Sequence, residues 1–132
     1  VSSDESDGPA ANLVDGNNGT YWHSKWQGDV PGYPHEVQID LGSKKAVKGF
    51  YYVPRQGSAN GRIKEYEIYV SNNPEKWGRA VKVGSFPQTT DKVEELFARK
   101  KRCRYVRFVA VSPQDTTHPW ATAAELGVVL EN

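Results

Sequence analysis

The chain has no methionine and a single cysteine, Cys103, so no internal disulfide can form and cysteine usage says nothing about the compartment. No apolar run approaches the roughly 20 residues that a membrane-spanning helix needs. An excess of charge is also missing: 17 basic residues face 16 acidic ones, for a formal net charge of +1 and a pI near 8.0. That balance removes a global field able to recruit nucleic acid or an anionic membrane. No window sustains apolar residues at i, i+3 and i+4, which argues against amphipathic helices. Catalytic signatures are missing too: there is no G-x-S-x-G, no H-E-x-x-H and no phosphate loop, and His23, His35 and His118 are dispersed. Internal repeats and low-complexity segments are absent. The 132 residues fit one domain, residues 1–132, able to bury roughly two-thirds of its unfolded surface. A start at Val1 reads as a piece excised from a longer secreted enzyme or a processed form, with any leader or neighbouring domain out of view.

What is there concentrates first in Ala11–Trp26. Asp15-Gly16 and Asn18-Gly19 are turn dipeptides, because Gly accepts positive φ and Asp or Asn bonds its own backbone in a tight bend. Two bends so close curl the backbone and point carbonyl oxygens inward. The Asp15 carboxylate and the Thr20 hydroxyl can join them, an all-oxygen set that suits a hard cation such as calcium. A polar surface loop without an ion is the alternative on these residues alone.

The rest of the chain reads as strands and loops. Val1–Pro9 is a short strand or arm. Val37, Ile39 and Leu41 alternate with polar residues until Gly42, and Val47–Val53 is a β-branched and aromatic neighbour. Tyr66, Ile68 and Val70 alternate next; Val81 and Val83, Val93–Phe97, Val106–Ala110 and Ala124–Leu130 complete the set. Seven or eight short strands with turn signals between them predict an all-β sandwich or jelly roll, its long loops gathered at the ends of the strands.

Trp22, Trp26, Tyr33, Trp77 and Trp120 lie in or beside predicted loops. A flat aromatic face can stack on the C–H face of a sugar ring; the alternative is that each ring plugs the end of the sandwich, the reading preferred for Trp22 and Trp77. His23, Arg55 and Asn60 offer fixed donors and acceptors of the kind that read hydroxyl groups, though each taken singly reads more simply as a loop residue with a local hydrogen bond. Arg99-Lys-Lys-Arg-Cys-Arg104 could grip phosphate or sulfate. It reads more simply as a solvated hairpin, with Asp91, Glu94 and Glu95 offsetting its charge.

Taken together, Asn12-Leu-Val-Asp-Gly-Asn17, Thr20-Tyr-Trp-His-Ser-Lys-Trp26, Ile39-Asp-Leu-Gly42, Tyr52-Val-Pro-Arg55, Tyr69-Val-Ser71, Arg104-Tyr-Val-Arg-Phe108 and Ala123-Ala-Glu-Leu126 resemble a discoidin-type domain. This family includes the C domains of coagulation factors five and eight and the family 32 carbohydrate-binding modules of bacterial glycosidases. The resemblance implies an eight-stranded jelly-roll sandwich and a structural calcium ion. Its ligands would be the Asp15 carboxylate, the Thr20 hydroxyl and carbonyl, the carbonyls of Asn12, Asn17 and Ala124, and the Glu125 side chain. It further implies that His23, Arg55 and Asn60 bind the hydroxyls of a galactose-type sugar, with Trp26, Trp120 or Tyr33 stacking on the ring. The coagulation domains carry a disulfide that a single Cys103 cannot make, which favours the bacterial branch. The expected function is non-catalytic binding of galactose or N-acetylgalactosamine on complex glycans. The domain would be a monomer tethered to an extracellular, periplasmic or cell-surface bacterial glycoside hydrolase, with no nucleic-acid partner and no transmembrane segment. A discoidin-type adhesion domain, inserting the same aromatics at a protein or phospholipid surface, is the rival reading.

Overall fold

A computed structural model describes residues 1–131. Among them there is no α-helix; a 3-10 turn at Ala10–Val14 is the sole helical element. The strands are β1 (Trp22–His23), β2 (His35–Val53), β3 (Glu65–Ser71), β4 (Lys82–Ser85), β5 (Val93–Ala110), β6 (Thr122–Ala123) and β7 (Glu125–Leu130). β1 and β6 form a two-stranded pair, and the remaining strands run in the order β4-β3-β5-β2-β7, every pairing antiparallel.

The sandwich is made by bending one long ribbon. β2 and β5 pair from His35↔Ala110 to Tyr52↔Val93, with register shifts at Asp40/Lys45 and Val47/Gly49. Beyond the shifts the ribbon changes partners. The half with Val37 and Phe108 carries β3 at its edge, while the half with Phe50 and Tyr52 carries β7. The two halves fold face to face, as the Phe50 and Tyr66 rings show by meeting edge-on at 5.1 Å between centroids. Phe86 stacks on both Tyr66 and Tyr52, at 4.3 and 4.5 Å. Trp22, Val47, Ile63, Ile68, Val106 and Leu126 complete the core.

The bends explain where sequence and structure differ. Gly42 does not end the strand: at φ 85°, with its N–H donating to Asp40 Oδ1 at 2.8 Å, it carries the chain round. The two strands expected on either side of it are one, and so are those expected at Val93–Phe97 and Val106–Ala110; with the two-residue strands β1 and β6, the jelly-roll sandwich has seven strands among the described residues. The basic run Arg99–Arg104 is therefore the bent middle of β5, not a hairpin. Trp22 is fully buried, as its core reading requires. Trp77 is only half-buried, with the Arg107 guanidinium 5.1 Å above its ring.

Because β2 and β5 double back, both ends of each lie at one pole of the sandwich and both middles at the other. The loops between β1 and β2, β2 and β3, and β5 and β6 gather at the first pole.

Candidate functional site

At that pole His23, Trp26, Arg55, Asn60 and Trp120, far apart in sequence, line one cleft of about 210 Å³ together with Asp7. Backbone pairing sets the frame. The N-terminal arm crosses β1, where the His23 N–H donates to the Gly8 carbonyl at 2.9 Å. A Cβ at Gly8 would lie 2.6 Å from the His23 nitrogen, so only glycine permits the approach. On the other side β1 pairs with β6, and Ser24 Oγ accepts the Ala121 N–H at 2.9 Å.

His23 is buried, and its Nδ1 lies 2.6 Å from the Ser24 carbonyl oxygen. A carbonyl only accepts, so Nδ1 carries the proton and the neutral ring keeps a lone pair on Nε2. Burial lowers the His23 pKa from its ordinary value against the opposing effects of the Ser24 carbonyl and the Asp7 charge; Arg55 lowers it further. The ring is therefore a fixed acceptor at neutral pH.

Arg55 and Asn60 belong to the loop after β2, which three hydrogen bonds hold in shape. The Arg62 guanidinium donates through Nε and Nη2 to the Arg55 carbonyl at 3.3 and 3.0 Å, and Thr122 Oγ1 donates to the Asn60 carbonyl at 2.7 Å. All three end on backbone carbonyls and leave the Arg55 and Asn60 side chains uncommitted. The Arg55 guanidinium lies 3.9 Å over the Tyr21 ring, which fixes its plane and leaves its donors without a protein acceptor among the described residues. The cleft thus pairs a charged donor fork with a fixed acceptor and an amide that can serve as either, the equipment for adjacent hydroxyls.

The two indoles differ. Trp26 is 38% exposed, its Nε1 donating to Asp7 Oδ1 at 3.1 Å while its N–H donates to Glu5 Oε1. Trp120 is half-buried, with the His118 ring parallel to it at 4.1 Å and His23 at 5.5 Å. Tyr33 does not line the cleft. Its hydroxyl donates to the Trp120 carbonyl at 2.7 Å, and beside it His35 Nε2 bonds the Pro119 carbonyl, so this pair supports the Trp120 loop from behind. Asp7 and Tyr21 were not visible as site residues from sequence. Asp7 sits in an acidic arm that has no pattern of its own, and only the Gly8–His23 pairing brings it there.

The Ala11–Trp26 stretch, which carries His23 and Trp26 into the cleft, curls as expected. Asp15 accepts from the Asn17 N–H at 2.9 Å and from the Thr20 hydroxyl, and Thr20 Oγ1 also lies 3.0 Å from the Asn17 carbonyl. Asn12 Nδ2 donates to the Tyr21 carbonyl and pins the loop. Glu125, at the start of β7, is buried, and its Oε1 has no partner among the described residues. Burial, then the hydrogen bond and charge of Asp15, pushes its carboxyl up to about 7. Two facing carboxyl groups, one with an orphaned buried oxygen, amid hydroxyl and carbonyl oxygens are a donor set that fits a hard divalent cation. Ala124, whose N–H donates to the Val53 carbonyl, adjoins them.

The F5/8 type C domain profile matches residues 1–126 of this chain. A sialidase from Micromonospora viridifaciens is 42% identical over 123 residues, covering 92% of the chain and 19% of the sialidase. A galactose oxidase from Gibberella zeae is 39% identical over 119 residues, 87% of the chain and 17% of that protein. The chain therefore spans about a fifth or less of the length of these curated relatives. Among solved structures, a CBM32 module from Clostridium perfringens in complex with GalNAc-beta-1,3-galactose superposes with a TM-score of 0.86 at 29% identity, over 96% of this chain and 89% of that one. The family 32 CBM of C. perfringens NanJ in complex with galactose gives 0.84 at 28% identity, over 96% and 88%. The chain belongs to the F5/8 type C, or discoidin, domain family, and it has the build of the carbohydrate-binding CBM32 modules within it.

Proposed function

We propose that this domain is a non-catalytic module that holds galactose-type sugars, galactose or N-acetylgalactosamine, on complex glycans and so targets a secreted or cell-surface glycoside hydrolase to which it is attached. One observation carries the reading: the His23 acceptor, the unpaired Arg55 fork and the free Asn60 amide converge on a cleft walled by two indoles. Three polar groups of fixed direction can read the stereochemistry of neighbouring hydroxyls, while an indole covers the C–H face of the ring. The axial hydroxyl at C4 separates galactose from glucose, and the trio would address it. Trp26, more exposed than Trp120, is the better placed stacking ring. The cleft is shallow and takes one sugar, so affinity near millimolar, about −4 kcal/mol, is expected.

The same reading gives calcium a structural role. The Asp15 and Glu125 carboxylates, the Thr20 hydroxyl and carbonyl, and the carbonyls of Asn12, Asn17 and Ala124 would hold it. The ion would neutralise the two acids and tie the curled loop to the start of β7. The phospholipid-inserting alternative finds less support, because Trp26 is bonded to Asp7, Trp120 is stacked on His118 and the Tyr33 hydroxyl is engaged.

An amide NMR titration of the calcium-loaded domain with galactose, and with glucose as control, tests the proposal. Shifts at residues 22–26, 55–60 and 119–121 with galactose alone are expected. No shift with either sugar up to tens of millimolar, roughly −2 to −3 kcal/mol, would overturn it.

A further inference from the structure

The pole opposite the cleft gathers a cluster of basic side chains, several without a paired acid, although the molecule as a whole is near neutral. Cross-strand neighbours Lys45↔Cys103, Ala46↔Arg102 and Val47↔Lys101 set the bend of β2, with Lys45 and Lys48, against the basic middle of β5. Asn72, in the turn after β3, binds the Arg102 carbonyl and the Arg104 N–H, which draws the loop between β3 and β4 to the same place. Arg79 of that loop joins Arg99 and Lys101 around a groove of about 360 Å³, with Val81 and Phe97 among its apolar lining.

Two charges of the run, Lys100 and Arg104, are offset by acids other than those expected. Glu95 faces Lys82 at 3.8 Å, Glu131 pairs with Lys100 at 3.0 Å and Asp40 with Arg104 at 2.8 Å. No acid among the described residues pairs with Arg79, Arg99, Lys101 or Arg102. Like charges held together without counter-charge repel, and that cost is recovered when an anion binds. Arginine forks match the planar or tetrahedral oxygens of carboxylate and sulfate, and small apolar side chains between them suit the C–H face of a sugar ring.

We propose that this basic pole is a second binding site, for a polyanionic glycan whose sulfate or carboxylate groups are held by Arg79, Arg99 and Lys101. Two other polyanions fit less well. Membrane insertion uses exposed large apolar side chains at loop tips; residues 42–45, 72–76 and 99–102 of the pole supply none, and the exposed Leu96 and Leu130 nearby are held within β5 and β7. Single-stranded nucleic acid uses free aromatic faces, whereas Tyr105 and Trp77 nearby are covered by Arg104 and Arg107. A glycan that is both anionic and galactose-bearing could engage both poles at once, which would raise avidity without a new contact at either.

The test is an amide NMR titration with a sulfated heparin tetrasaccharide at low and moderate salt, followed by isothermal titration of the triple variant Arg79→Gln, Arg99→Gln, Lys101→Gln. The expected result is shifts confined to residues 45–48, 79–82 and 99–102. Binding should weaken about tenfold or more between roughly 0.05 and 0.3 M NaCl, and about tenfold or more in the variant, with galactose shifts unchanged. Absence of binding at low salt, shifts at His23 or Arg55 instead, or undiminished affinity in the variant would each overturn the proposal. Tighter binding to phosphatidylserine vesicles or to duplex DNA than to the tetrasaccharide would do so as well. The mapping uses the native chain, so it decides the matter even where the variant fails to fold.

Discussion

His23 shows how much one hydrogen bond settles. With Nδ1 donating to the Ser24 carbonyl, the other nitrogen is an acceptor only while the ring is neutral. Burial depresses its pKa below the ordinary 6.5, so the acceptor persists through neutral pH. Galactose affinity should be flat above about pH 6.5 and weaken as pH falls through the folded-state value, where Nε2 gains a proton. Folding stability moves the same way: the unfolded ring takes up its proton first, so stability drops as pH falls below 6.5. Calorimetric titrations at several pH values check this, and affinity that stays constant while NMR shows the His23 ring becoming protonated would refute the acceptor role. The tryptophans divide along similar lines. Trp22→Ala removes a fully buried ring and should cost about 3–5 kcal/mol in urea unfolding. Trp26→Ala at a 38% exposed position should leave the unfolding midpoint nearly unchanged while weakening galactose binding about tenfold, from loss of roughly 1 kcal/mol or more of stacking.

At the scale of elements, the site depends on how loops are pinned rather than on the strands. The loop after β2 turns at Gly61, where φ is 74° and a Cβ would lie 2.7 Å from Thr122 Cγ2. Gly61→Ala should destabilise the fold by about 1–2 kcal/mol from backbone conformation alone, with the clash adding to it. By displacing the neighbouring Asn60 carbonyl from Thr122, it should also weaken sugar binding. Gly57→Ala in the same loop has open space and no positive φ and serves as the matched control, expected to be near neutral in both measurements. Equal effects of the two substitutions would mean that loop geometry is not what places Asn60.

For the whole molecule, the bent β2–β5 ribbon separates two proposed sites in space, a polar cleft where the strand ends meet and a basic pole where the strands turn. It also brings β7 against the curled Ala11–Trp26 loop, so that Glu125 faces Asp15. A calcium ion bound there adds stability only to the folded chain. With free calcium about a thousandfold above its dissociation constant the gain is about 4 kcal/mol. Chelation should therefore lower the melting temperature by several degrees and broaden the amide signals of residues 12–26. Glu125→Gln should remove most of that sensitivity. A melting temperature indifferent to calcium and chelator would rule the ion out.

Period-two alternation in Val37–Leu41, Tyr66–Val70 and Val106–Ala110, with turn dipeptides between, is enough to determine an all-β sandwich, because alternation exposes one face of each strand to a core. Seven short motifs in order determine the family. The curled loop is equally legible, since Asp-Gly and Asn-Gly act locally. Sequence does not reveal that β2 and β5 run on through their bends, because a bulge keeps the ladder going where a glycine locally reads as a stop. Tertiary structure alone decided that Asp7 lines the cleft, that Tyr33 stands behind Trp120, and that Glu95 turns to Lys82 while Glu131 and Asp40 pair with Lys100 and Arg104 of the basic run. Each of these is a contact between residues remote in the chain, set by how the ribbon folds and not by any local preference.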